Sequence, residues 1–152
     1  VLVGTRPRYA VFTRDGDQVW VSSEIGGTVS VIDLETYKVV ETIGFDVPGM
    51  RPELIRPVGM AMSKDGDLAF VTLGTANRVA VVDTDTYEVV EYILVGQRPW
   101  HAVLNTKGTR LYVVNGLTND MTVIDTNSLQ ALESVPVGRL PWGVVYVEQD
   151  DE

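Results

Sequence analysis

The 152-residue sequence has no cysteine and a single histidine, His101. The first absence excludes disulfides, cysteine nucleophiles and thiolate metal sites, and leaves the redox compartment open. The second excludes a metal site built from several histidines of this chain. A bound metal would have to draw on carboxylate and carbonyl oxygens, which suits a hard cation. Positive charge is scarce too. Twelve Lys and Arg against 21 Asp and Glu give a net charge of −9, a surface that repels phosphate backbones and argues against a nucleic-acid partner. No apolar run nears the roughly 18 residues that cross a bilayer as a helix. No stretch holds a helical period beyond a turn or two. No signal peptide is visible, and the chain opens on VLVGTRPRYA without an initiator methionine, as expected of a processed or truncated chain.

What the sequence does have is repetition. Val-Gly-x-x-Pro stands at residues 3–7, 95–99 and 137–141, and Ile55-Arg56-Pro57 keeps the Arg-Pro of a fourth copy. The prolines at 7, 57, 99 and 141 advance by 50, 42 and 42 residues. Asp15-Gly16, Asp65-Gly66 and Lys107-Gly108 keep the same steps, as do Asp33, Asp83 and Asp125. The period is 42 residues, with about eight more inserted in the first copy. Each unit reads as four short alternating strands, such as HAVLN, RLYVVN, MTVID and ALESVPV, joined by Gly, Asn and Asp turns. Four strands per ~42 residues is the pattern of a β-propeller blade. A lone four-stranded sheet cannot bury both faces, so blades must stack.

The predicted fold is therefore all-β, a β-propeller of four-stranded antiparallel blades, with about three and a half blades in one partial domain over residues 1–152. Blades are expected at about 5–45, 56–95 and 98–137, with an outer strand at 1–4 and an inner strand at 141–148.

The runs WVSS, FVTL and YVVN (Trp20–Ser23, Phe70–Leu73, Tyr112–Asn115) stand where the YVTN-type propeller repeat carries its tetrapeptide, and the chain resembles that family throughout. Its last unit, NGLTNDMTVIDTNSLQALESVPVGRLPWGVVY, is similar to the C-terminal end of the seven-bladed propellers associated with pyrroloquinoline-quinone-dependent alcohol catabolism. That resemblance implies a ring of roughly 300 residues, completed by a second chain or a missing N-terminal half. It also implies a periplasmic or secreted location, and a transporter or quinoprotein dehydrogenase as partner. Pyrroloquinoline quinone or a metal ion is the cofactor it would suggest for the full assembly.

In a propeller the innermost strands line a central channel, and the loops leading into them share one face with the second-to-third strand loops. Arg6, Arg56 and Arg98 precede prolines in those leading loops, and Arg139 lies in the last one. Together they are expected to form a positive collar suited to a carboxylate or phosphate, because guanidinium grips oxyanions bidentately. The plainer alternative is that they pair with neighbouring acids. Trp100 and Trp142 recur one period apart, as packing between inner strands or as a platform for a planar ligand. His101 aligns with Tyr9, Gly59 and Gly143, so the blade does not require it; it is a candidate ligand contact at the channel mouth. Asn115 ends a second strand on the same face. The insertion DVPGMRPELIRP, with Met50, Arg51 and Glu53, is expected to be a lid or a docking surface. The Asp-Gly-Asp turns fall on the opposite face and read as ordinary hairpins.

No Ser-His-Asp spacing and no c-type haem motif is present, so no catalytic residue is assigned. The expected function is a non-catalytic binding or scaffold protein for a small anionic ligand, a metal complex or a protein partner. The alternatives are an enzyme or cofactor-carrying propeller of haem, quinone or lactonase type, and a pure interaction scaffold of the surface-layer kind.

Overall fold

Every hairpin turns on a residue with left-handed backbone, and these residues keep the repeat's step. They are Gly16, Gly66 and Gly108, then Gly27, Asn77 and Asn119, then Tyr37, Tyr87 and Leu129. A positive φ is what tight antiparallel connections demand, so one local rule recurs at three turns per unit. Between these turns the structure, a computed structural model that describes residues 1–148, forms three four-stranded antiparallel sheets. Blade one is β1 (Pro7–Phe12), β2 (Gln18–Ser23), β3 (Thr28–Asp33) and β4 (Lys38–Ile43). Blade two is β5 (Pro57–Met62), β6 (Leu68–Leu73), β7 (Arg78–Asp83) and β8 (Val89–Leu94). Blade three is β9 (Pro99–Leu104), β10 (Arg110–Asn115), β11 (Asp120–Asp125) and β12 (Gln130–Pro136). Each sheet runs in chain order.

Strand alternation gives each blade two faces, and the core lies between blades. In blade two, Ala69, Val71, Leu73, Ala80 and Val82 join Trp20, Val29 and Val31 of blade one. From the same strands Phe70, Val79 and Val81 point the other way, onto Ala102, Leu111, Val113 and Ile124 of blade three. Blade two is thus covered twice, blades one and three once. Side-chain hydroxyls pin neighbouring inner strands. Ser22 Oγ donates to the Val58 carbonyl at 2.6 Å, and Thr72 Oγ1, its repeat equivalent, donates to the Trp100 carbonyl at 3.3 Å.

Two expectations fail here. Residues 1–4 and 141–148 do not form strands. The second segment lies along the open face of blade three, stacking Tyr146 on Tyr112 at 6.0 Å. It has no ladder because no counterpart of β2, β6 or β10 follows it among the described residues. The last four residues of the expected domain lie outside the described ones.

The insertion also differs from a lid. Phe45, Val47 and Ile55 are buried in the core between blades one and two, and Met50 packs against it. The backbone N–H of Asp46 donates to Tyr92 Oη at 2.9 Å, and Thr75 Oγ1 donates to the Leu54 carbonyl. Pro52–Leu54 forms a single 3-10 turn over Gly27. The segment is a wedge held by apolar anchors; only Arg51 and Glu53 of the three residues singled out face solvent.

Candidate functional site

Bulges in the inner strands create the site. In β1 the pairing passes from Pro7–Ser23 to Tyr9–Ser22, skipping Arg8. In β9 it passes from Pro99–Asn115 to His101–Val114, skipping Trp100. A bulged residue leaves the ladder and its side chain is re-aimed. Here both side chains swing to the channel mouth. Just before them, Arg6 and Arg98 hold φ at 60°, Arg56 at 29° and Leu140 at 51°. Because Leu140 takes the same conformation, this backbone does not need an arginine; the guanidinium groups serve something else.

They meet on Glu24, which is 1% exposed. Arg98 Nη2 donates to Glu24 Oε1 at 2.9 Å, while Arg6 Nε and Arg8 Nε lie 3.2 and 3.5 Å from Oε2. The Oε2 contacts are ionic, since neither has hydrogen-bond geometry. Burial lowers the pKa of Arg98 against the attraction of Glu24, and the charges of Arg56 and Arg8 push it further down. Three guanidinium groups thus share one carboxylate in a protein of net charge −9. The same repeat position is Gly74 in blade two and Gly116 in blade three. A Cβ on Gly74 would stand 3.2 Å from Arg98 Nη1, and one on Gly116 would stand 2.6 Å from Trp100 Cδ1. One position holds a carboxylate once and leaves a notch twice, and the notches are filled by Arg98 and Trp100.

Above this cluster Trp100 and Trp142 stack with centroids 4.4 Å apart and planes 26° from parallel. Arg98 lies 4.5 Å from the Trp100 centroid, and Arg8 lies 5.5 and 5.2 Å from those of Trp100 and Trp142. Cations over indole faces in this range attract the ring quadrupole. Beside the stack runs a groove of about 530 Å³, bounded by Arg8, Tyr9, Trp100, His101 and Trp142 and floored by Gly59. A Cβ on Gly59 would lie 2.6 Å from the Trp100 carbonyl oxygen, so the glycine lets β5 and β9 close up. Across it, His101 meets Tyr9 edge-on at 5.2 Å. The Val144 N–H approaches His101 Nδ1 at 3.5 Å, which places the imidazole proton on Nε2, 3.3 Å from Tyr9 Oη. Burial lowers the pKa of His101, keeping it neutral.

The structure therefore brings Arg6, Arg98, Trp100, Trp142 and His101 together, while Arg56 enters only through its charge, which acts on Arg98. It does not bring in the rest. Arg139 is exposed and sits in register with Gln97, one residue ahead of the arginine position, which Leu140 fills. Asn115 is fully buried, its Nδ2 donating to Asp120 Oδ1 at 2.8 Å and Thr122 Oγ1 at 2.9 Å, and does not line the groove. By sequence Arg8 and Glu24 belong to loops of the same face, but nothing there singles them out, and Gly74 and Gly116 carry no signal of their own. Aligning residues 24, 74 and 116 as one column would have exposed the Glu-Gly-Gly pattern.

The donor set does not suit a cation. Among the described residues no three His, Cys, Asp or Glu side chains cluster as metal ligands, and Glu24 is taken up by arginines.

The family described as Lactonase, 7-bladed beta-propeller, matches residues 2–131. No curated protein matches the chain. Among solved structures, the hydrazine synthase of Kuenenia stuttgartiensis is 24% identical, with a TM-score of 0.81 over 94% of this chain and 40% of its own. A Bacteroides fragilis protein assigned as a 6-phosphogluconolactonase is 22% identical, with a TM-score of 0.81 over 97% and 44%. The periplasmic gluconolactonase of Pseudomonas aeruginosa is 24% identical, with a TM-score of 0.70 over 89% and 41%. At these identities the likeness shows the fold. The chain spans less than half the length of each.

Proposed function

The chain belongs to the seven-bladed β-propeller lactonase family, and on that premise we propose that it is the ligand-gripping part of a lactonase-type ring, holding a sugar-acid anion at the channel mouth. The observation that carries this reading is the convergence of Arg6, Arg8 and Arg98 beside the Trp100–Trp142 stack. Guanidinium groups supply directed donors for a carboxylate, and an indole face takes the C–H face of a sugar ring. Trp142 is 62% exposed, so its outer face is open to a ligand. We take these residues as binding groups rather than hydrolytic ones. His101 has both ring nitrogens engaged and offers no free lone pair for water activation. Tyr9 Oη, accepting from His101, keeps its own proton to donate to a ligand oxygen.

The test is titration of the protein with D-gluconate, followed by tryptophan fluorescence and calorimetry. We expect saturable binding that weakens with salt and falls about tenfold or more in Arg98→Gln. No saturable binding of gluconate would overturn the reading. A second reading, hydrolysis of an aldonolactone, is favoured by the family itself. It requires acid release from D-glucono-δ-lactone above the buffer rate in a pH-stat.

Our proposal extends, on the sequence resemblance, to a periplasmic or secreted setting beside a quinoprotein dehydrogenase or transporter. Pyrroloquinoline quinone is planar and anionic and falls in the same ligand class. The Trp142 face and the guanidinium groups would hold it, and when bound it supplies two-electron redox chemistry.

A further inference from the structure

We propose that Glu24 is the positioning residue of the channel-mouth site, the one carboxylate that holds Arg8 and Arg98 against the tryptophan pair and so fixes the wall on which the ligand rests. The inference rests on the proposed channel-mouth site for its ligand and on independent geometry for its mechanism.

Three observations carry it. First, Glu24 is buried, yet beside Arg6 and Arg8 of its own blade it pairs with a residue distant in sequence. Arg98 is 74 positions away and belongs to blade three, whereas Glu24 belongs to blade one. The ion pair passes over blade two through the notch at Gly74, where any Cβ would press on the Arg98 guanidinium. Second, both arginines that touch indole faces also touch Glu24: Arg98 at 2.9 Å and Arg8 at 3.5 Å. Guanidinium groups crowded together repel, and without a shared anion nothing would keep two of them beside the same indole pair. Third, the position is not fixed by the repeat, since its equivalents are Gly74 and Gly116. Blade architecture does not ask for a carboxylate here. The site does.

The stacked indoles supply the readout. Two tryptophans 4.4 Å apart couple their transitions and give an exciton couplet in circular dichroism, whose zero level is set by Trp142→Phe. In Glu24→Gln, which keeps the shape and removes the charge, the couplet is expected to fall by about half or more, with gluconate affinity down about tenfold. In Glu24→Ala, acetate is expected to restore the couplet by occupying the vacated carboxylate position. Chloride at equal ionic strength is not, and neither salt should act on Trp142→Phe. A couplet unchanged in Glu24→Gln overturns the proposal, as does one lost in Glu24→Ala that acetate cannot restore, which would make Glu24 a packing residue only. If Glu24→Ala does not fold, the Glu24→Gln couplet decides alone. If the unmodified protein binds no gluconate, the ligand reading fails, and the couplet still judges Glu24.

Discussion

Tyr9, Gly59, His101 and Gly143 hold one repeat position on successive inner strands, alternating a ring with no side chain. The two rings can meet across Gly59 because nothing stands between them. His101 is a structural letter that the fold has made into a contact, and its protonation state reports on that contact. Burial lowers its pKa in the folded chain below the ordinary 6.5 to which it returns on unfolding. As pH falls, the unfolded chain takes up the proton first. Stability is thus fully present above pH 6.5 and declines as pH drops toward the folded value. The carboxyls of Asp15, Asp33, Asp65, Asp83 and Asp125 are also lowered, by nearby N–H and hydroxyl donors, but they begin below their ordinary 3.8 range. As pH falls below about 6.5, the melting temperature should fall, and His101→Gln should flatten that slope. Equal slopes in thermal melts of the two proteins would rule out His101 as the source.

At the scale of elements, the inserted segment shows what sequence could and could not reveal. The break in period was legible, and so were the twelve strands, as alternating runs between recurring Gly, Asn and Asp turns. The anchoring was not legible. Phe45, Val47 and Ile55 look like any apolar residues in a loop until blade two closes over them. The site was legible by halves for the same reason. Recurrent arginines and tryptophans announce themselves, but Gly74 and Gly116 gain meaning only from Arg98 and Trp100, which reach them through the fold. Bulges at Arg8 and Trp100 leave no mark in an alternating pattern. If the insertion is a wedge, Ile55→Ala should cost about 2–5 kcal/mol. Replacing Arg51 and Glu53 together by serine should stay within about 0.5 kcal/mol. Denaturant melts distinguish these, and equal small effects would restore the lid.

At the scale of the whole molecule, three blades stack as a fan with one uncovered face at each end. Phe12 on blade one is 61% exposed, and Val145, beside blade three, is 82% exposed. The outer strand of blade three, β12, is exposed along its full length and pairs only with β11 among the described residues. The interior faces show what these surfaces are built to meet. Blade two is buried on both sides by its neighbours, through residues that recur at equivalent positions in the end blades. An end face left bare carries the same kind of apolar surface without its cover, and such surfaces associate. The chain on its own should therefore show concentration-dependent association in sedimentation velocity. Phe12→Lys combined with Val145→Lys should suppress it. Two lysines move the net charge of −9 toward zero, which by itself favours association, so suppression would have to come from the lost apolar contacts. A chain that sediments as a monomer at every concentration, with or without the lysines, would mean that the end faces are stable bare and that ring closure is not what stabilises the fan.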